Sequence, residues 1–114
     1  MSNTVSGAVS NSHIVGDGNT IDGKKLAYVF GRQNTVDRDY QHVEGKFSAP
    51  DETAVYKFGY GTKAEPKNLF TLHEDGSGTL AGAPQNENDI VRLKELNSKV
   101  ETITEEDINA LFAA

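Results

Sequence analysis

A chain of 114 residues with 36% hydrophobic residues, nine aromatics and eleven glycines makes at most one ordinary domain, and one poor in core-forming side chains. Its formal net charge of −6, with no stripe of Lys or Arg, excludes nucleic acid as an expected partner, and the lack of cysteine excludes disulfide frameworks and thiolate metal sites. So small and polar a chain buries too little surface to be comfortable alone, which points to burial against further copies or other chains.

The start "MSNTVSGAVS" has neither a basic region nor an apolar core of the kind that directs secretion, and no run of roughly 18 apolar residues follows, so membrane insertion is not expected. The "NTV" at 3–5 is a half-copy of what comes next. "HIVGDGNTI" at 13–21 recurs as "YVFGRQNTV" at 28–36 and, more weakly, as "HVEGKFSA" and "YKFGYGTK".

The glycines fall at Gly16, Gly31, Gly45 and Gly59, spaced 15, 14 and 14 residues. Three positions before each stands a ring, namely His13, Tyr28, His42 or Tyr56, and three after it Asn19, Asn34, Ser48 or Thr62. Such a period suits coils of short strands joined by tight turns, with Gly supplying positive φ and Asn tolerating the left-handed region while bonding its own backbone. Ile14, Val15, Val29, Phe30 and Val43 favour strands, and no helical spacing is sustained before residue 89, so the first part is expected to be all β. About four coils of modest hydrophobicity make a thin solenoid, and neighbouring chains are the expected source of further burial.

Residues 47–68 are less regular, with turn markers at Pro50 and Pro66, and are predicted to connect coils or run around them. "NLFTLHEDGSGTLAG" at 68–82 reads as a β-hairpin, with Leu69 and Phe70 before a type I′ turn at Asp75-Gly76 and Thr79 and Leu80 after it. Beyond this the charge balance shifts: residues 84–114 carry seven acidic and three basic side chains, against ten and eight in residues 1–83. The predicted organisation is therefore 1–83 for the β-coil repeats and hairpin, and 84–114 for a helical neck.

Asn88 or Asp89 is placed to cap a helix reaching about Val100, in which Ile90, Leu93, Leu96, Val100 and Ile103 form a coiled-coil-like seam. Under two heptads is too short for an isolated coiled coil but long enough to knit chains already held side by side. A second short helix is predicted over about 105–112, with acidic residues in its first turn and Ile108, Leu111 and Phe112 as a docking face or a face folded back on the neck.

"GRQNTVDRDYQHVEGKFSA" resembles the head repeats of bacteriophage tail fibres and trimeric autotransporter adhesins, with Tyr40, His42, Glu44 and Gly45 as the second of their two alternating phrases. "YKFGYGTKAEPKNLFTLHEDGSGTLAG" is similar to a hairpin module of phage fibre and baseplate-appendage proteins, and "ENDIVRLKEL" resembles the neck helix that follows such modules. The combined order covers roughly residues 3–100, with departures at Glu44 and Lys57, where an apolar residue is expected. The resemblance implies a mainly β fold with C-terminal α, a homotrimeric β-helix or β-roll-like fibre of 14- to 15-residue coils, a hairpin and a three-stranded helical neck. It further implies a noncatalytic component of a phage-like particle, assembled in the host cytoplasm and housed in the virion. Other virion or appendage proteins are its implied partners, together with a host-surface glycan or protein. The alternatives are an autotransporter-type adhesin head and a minimal polysaccharide-degrading β-helical enzyme. The missing secretion signal and membrane-anchoring barrel favour the phage reading over the adhesin.

Set against chemistry, the motifs are bland. "GDGN" at 16–19 lacks the following helix that a phosphate loop needs. His13, His42 and His73 read as repeat-position or solvated rings rather than metal ligands. Asp37, Asp39, Asp51, Glu52, Glu74 and Asp75 read as solvated loop charges, with nothing fixing two of them at the separation of roughly 5 to 10 Å that glycoside hydrolysis uses. No serine-nucleophile elbow is present. No catalytic, cofactor-binding or metal residue is expected. The rings of Tyr28, Phe30, Tyr40, Phe47, Tyr56, Phe58 and Tyr60 are expected to pack in the core or between chains, or to form a binding surface.

Overall fold

A computed structural model of the protein describes residues 2–101 and 105–112. The fold is mainly β, a solenoid-like stack of about four turns followed by a short helical part. It divides into two compact units, residues 1–81 and 82–114.

In the first unit the repeats fold as the strands β1 (Thr4–Ser6), β2 (His13–Asp17), β3 (Thr20–Asp22), β4 (Tyr28–Arg32), β5 (His42–Lys46) and β6 (Ala54–Tyr60). The hairpin strands β7 (Asn68–His73) and β8 (Gly78–Leu80) follow. One sheet runs β2-β4-β5-β6-β7-β8, parallel as far as β6 and antiparallel beyond it. Its register pairs His13 with Tyr28, Tyr28 with His42 and His42 with Tyr56, and likewise Gly16 with Gly31, Gly31 with Gly45 and Gly45 with Gly59. On the other side of the coil β1 lies parallel to β3, with Thr4 opposite Thr20, and a further bridge joins Thr20 to Thr35. The half-copy at 3–5 is thus the second half of a coil.

Alternation along each strand sends Val29 and Val43 inward and the flanking rings outward. Among the described residues the main core cluster is Ile21, Ala27, Val29, Val36 and Val43, with Val9 and Ile14 packed against it, and Ala54 is also fully buried. So narrow a core suits small aliphatic side chains, and the rings of Tyr28 and Phe30 stay exposed.

The corners differ from the sequence expectation. Asn19, Asn34 and Ser48 are not left-handed; the residues before them are, with positive φ at Gly18, Gln33 and Phe47, and a second set of corners turns at Asn11, Leu26 and Tyr40. Glycine in the repeat also serves close approach: a Cβ at Gly16, Gly31 or Gly45 would lie 1.9 Å from the carbonyl oxygen of the next coil's glycine. Gly59 has no positive φ, and a Cβ there would meet the Ser48 backbone at 2.7 Å.

Within 47–68, read as a connector, lies β6, at seven residues the longest strand. The hairpin forms as predicted, with Phe70 opposite Leu80, but its turn is not type I′, because only Gly76 has positive φ. The Asp75 carboxylate accepts from the Ser77 amide and hydroxyl instead, which keeps Asp75 on the ordinary side of φ.

In the second unit α1 spans Leu93–Glu101 and α2 spans Glu105–Phe112. The first helix starts later than predicted because Asp89 accepts from the amides of Gln85 and Asn86, a turn that precedes the helix rather than capping it. Ile90 therefore falls outside the helix and cannot extend its seam. Ile103 lies outside the described residues.

Candidate functional site

Inside the stack, the repeat's Asn and Gly positions form one polar ladder. Asn19 and Asn34 are fully buried. The Asn34 amide donates to Asn19 Oδ1 (3.0 Å), and Asn34 Nδ2 donates to the Gly45 carbonyl (2.9 Å). One coil earlier, Asn19 repeats the pattern with Asn3 Oδ1 (2.9 Å) and the Gly31 carbonyl (2.8 Å). Asn3 itself donates to Gly16 O. Each carboxamide thus bridges coils rather than bonding only its own turn, as the sequence reading had it. The ladder stops at Ser48, whose amide donates to Asn34 Oδ1 (3.1 Å) while its buried hydroxyl has no partner. Thr62, the fourth member in the sequence pattern, instead accepts from the Glu65 amide in a turn.

The two departures from the apolar pattern are each provided for. Lys57, in register with Val43, is fully buried, and its ammonium meets the Asp37 carboxylate and the carbonyls of Thr35 (3.2 Å) and Ala49 (3.1 Å). Desolvating an ammonium is tolerable only with such complete pairing. Glu44, on the outer face, accepts from the Tyr56 hydroxyl (2.5 Å) and lies 3.3 Å from His42 Nε2. Burial, and after it the Glu44 carboxylate, pushes the Tyr56 phenol up to about 12.

That outer face is the principal candidate surface. Rings run down it from His13 through Tyr28, His42 and Tyr56 to Phe70, with successive centroids 6.1, 4.5, 5.2 and 6.0 Å apart. Beside this column run Val15, Phe30, Glu44 and Phe58 in register. Val15 and Phe30 are 48% and 49% exposed. Of the remaining rings, Tyr40 is exposed, Phe47 forms a corner, and Tyr60 lies under the Lys46 ammonium at 4.5 Å. None of the seven rings belongs to the buried aliphatic core.

The carboxylates read as loop charges partly converge. Asp37, Asp39, Glu52 and Glu74 line an open cleft of about 500 Å³ together with Lys24 and Arg38. Three of them are engaged: Asp37 by Lys57 and the Asp51 amide, Asp39 by the Lys25 amide (2.7 Å), and Glu74 by Arg38 at 2.5 Å. Asp51 stands beside the cleft and is held below the usual carboxylate range by the Thr53 hydroxyl. His73 sits between Thr53 (2.8 Å) and Thr79 (2.9 Å), away from the ring column of His13 and His42. Among the described residues no three His, Asp or Glu side chains gather as a metal site.

In the helical unit Leu93 and Leu96 share one helix, and Arg92 and Glu95 are bound at 2.6 Å. Both leucines are exposed, as are Ile90, Ile108, Leu111 and Phe112. Val100 belongs to the same helix. No described helix is long and apolar enough to cross a membrane.

Buried Gln41 and the Lys57–Asp37 pair are structural residues that sequence reasoning missed. The clue to the pair was a lysine at a register position otherwise apolar. Compared with protein-family models, curated proteins and solved structures, the chain finds no match.

Proposed function

We propose that the protein is a noncatalytic structural subunit of a phage-like particle, a tail fibre, spike or other appendage that works as a homotrimer of coils 14 to 15 residues long. The observation that carries this reading is the outer sheet face, where Val15 and Phe30 stand about half exposed beside a continuous ring column, while the buried hydrophobics among the described residues are all aliphatic. Apolar area left uncovered at this scale in so small a chain is best accounted for by copies packed against it.

The exposed Leu93 and Leu96 supply a second patch of the kind a helical clamp uses. Three chains bound together present any weak site in triplicate, so attachment to a host-surface glycan or protein gains from raised effective concentration. Other appendage proteins are the natural partners of the exposed Ile108, Leu111 and Phe112.

The enzyme reading has less support, since Asp37, Asp39 and Glu74 in the acidic cleft are already bound to Lys57, the Lys25 amide and Arg38. Solution mass by light scattering tests the proposal. The expected value is three times 12.3 kDa, and a stable monomer overturns the reading. With the trimer in hand, Leu93→Asp combined with Leu96→Asp is expected to lower that mass, because three copies of each charge would meet without partners; an intact trimer would remove the helix as its clamp.

A further inference from the structure

The outer sheet face carries one carboxylate in the middle of its apolar columns. Glu44 stands in register between Phe30 and Phe58, in the column that Val15 begins. Its carboxylate accepts from the Tyr56 hydroxyl of β6 (2.5 Å) and lies 3.3 Å from His42 Nε2 on its own strand. The His42 ring is held between Tyr28 of β4 and Tyr56 of β6, with centroids 4.5 and 5.2 Å away. The cations next along these strands are engaged elsewhere, Arg32 with Asp17 at 3.8 Å and Lys46 over the Tyr60 ring at 4.5 Å. Among the described residues no Lys or Arg forms a salt bridge with Glu44. His13, the other imidazole of the ring column, has Tyr28 as its ring neighbour.

This cluster suits water better than burial. The His42 and Glu44 side chains are 43% and 33% exposed, so in the single chain solvent still screens the carboxylate. Covering the face removes that solvent. A carboxylate taken out of water without a cation is strongly disfavoured, whereas a carboxylate beside an imidazolium, or a protonated carboxyl, is not. Either way the covered cluster holds one more proton than the open one.

The step of the face selects what can cover it. Each position recurs once per coil, in register across β2, β4, β5 and β6, so a partner meets all four coils only if it repeats with the same step. A second copy of this chain does so by construction. We propose that copies of this chain pack on this face and that each takes up one proton at its Glu44–His42 pair on doing so, which makes assembly pH-dependent. The coupling rests on the homotrimer proposed above and adds its control. Imidazole is the group of the pair that titrates nearest neutrality, and His42 is accordingly the proton's site. Covering raises the pair's affinity for a proton, so the added strength of assembly is fully present at acid pH and is lost as pH rises past neutrality.

Light scattering of the full chain, in dilution series between about pH 5.5 and about pH 8.5, spans that change. Where dilution alone does not separate the chains, the denaturant midpoint of trimer dissociation is read instead. The concentration of half-assembly is expected to rise about tenfold or more across the range. Glu44→Gln is expected to assemble without this slope. His42→Gln is expected to move it to the acid range, where a carboxylate takes its own proton, and His13→Gln to leave it in place; circular dichroism checks each fold. A trimer whose dissociation ignores pH overturns the coupling and leaves the homotrimer standing. A slope unchanged in Glu44→Gln puts the proton elsewhere and also overturns it. A monomer at every pH overturns the coupling together with the homotrimer and assigns the face to a different partner.

Discussion

The stack and the helical unit of the same chain hold their shape by different means. In the stack almost every repeat position has a partner one coil away: glycine against glycine, asparagine against asparagine, ring against ring. In the helical unit Leu93, Leu96, Leu111 and Phe112 stand exposed, and Arg92, just before α1, is bound to Glu95 within it. An isolated helix of nine residues is marginal in water, so α1 depends on whatever covers its leucines. Periodic hydrogen bonding lets a thin aliphatic core suffice, whereas a short amphipathic helix lacks any equivalent periodic ladder.

The largest effect that would break this contrast is steric. Gly31→Val places side-chain atoms against the Gly45 carbonyl and is expected to abolish the cooperative β unfolding transition seen by circular dichroism. Next comes the buried pair. Asp37→Ala strands the Lys57 ammonium and is expected to cost about 3 to 5 kcal/mol in denaturant unfolding, whereas Lys57→Met together with Asp37→Asn is expected to restore most of it.

Asn34→Ala leaves the Ser48 amide and the Gly45 carbonyl without their partner and is expected to cost about 1 to 3 kcal/mol by the same measurement. A smaller effect is set by pH. Because the folded phenol of Tyr56 titrates at about 12 rather than 10.0, its contribution is fully present below pH 10 and is lost as pH rises toward 12. Tyr56→Phe is expected to flatten that part of the stability profile, read from thermal melts in alkaline buffer. Smallest of all, Leu96→Asp is expected to move the melting of the β unit by no more than about 0.5 kcal/mol, while acting on assembly.

The columns were legible in the sequence because the same residue types return at the same phase, and β2, β4, β5 and β6 stack in the register the glycines mark. The chemistry of the columns was less so. Asn at a turn phase looks like a residue bonding its own backbone, and only the approach of the next coil shows that its carboxamide spans two. The Lys57–Asp37 pair joins residues from different columns that meet only once the coil closes. The start of α1 was misplaced for a local reason, since Asp89 satisfies amides behind it rather than ahead. The rings face outward because they alternate with the inward Val29 and Val43, a phase that is fixed only once the coils pack.

The ladder also sets the step by which this protein can change in length. Each interior asparagine accepts at its oxygen from the next coil's amide and donates from the same carboxamide to the next coil's glycine carbonyl, as the asparagine before it does in turn. Gene duplication of one whole period therefore yields a junction already compatible on both sides, and deletion of one period heals in the same way. A single-residue insertion inside a strand instead slips every glycine and asparagine beyond it out of phase. Evolution of this architecture is accordingly quantised: it lengthens or shortens by entire coils, with Ser48 and the Lys57 cluster marking where the count ends.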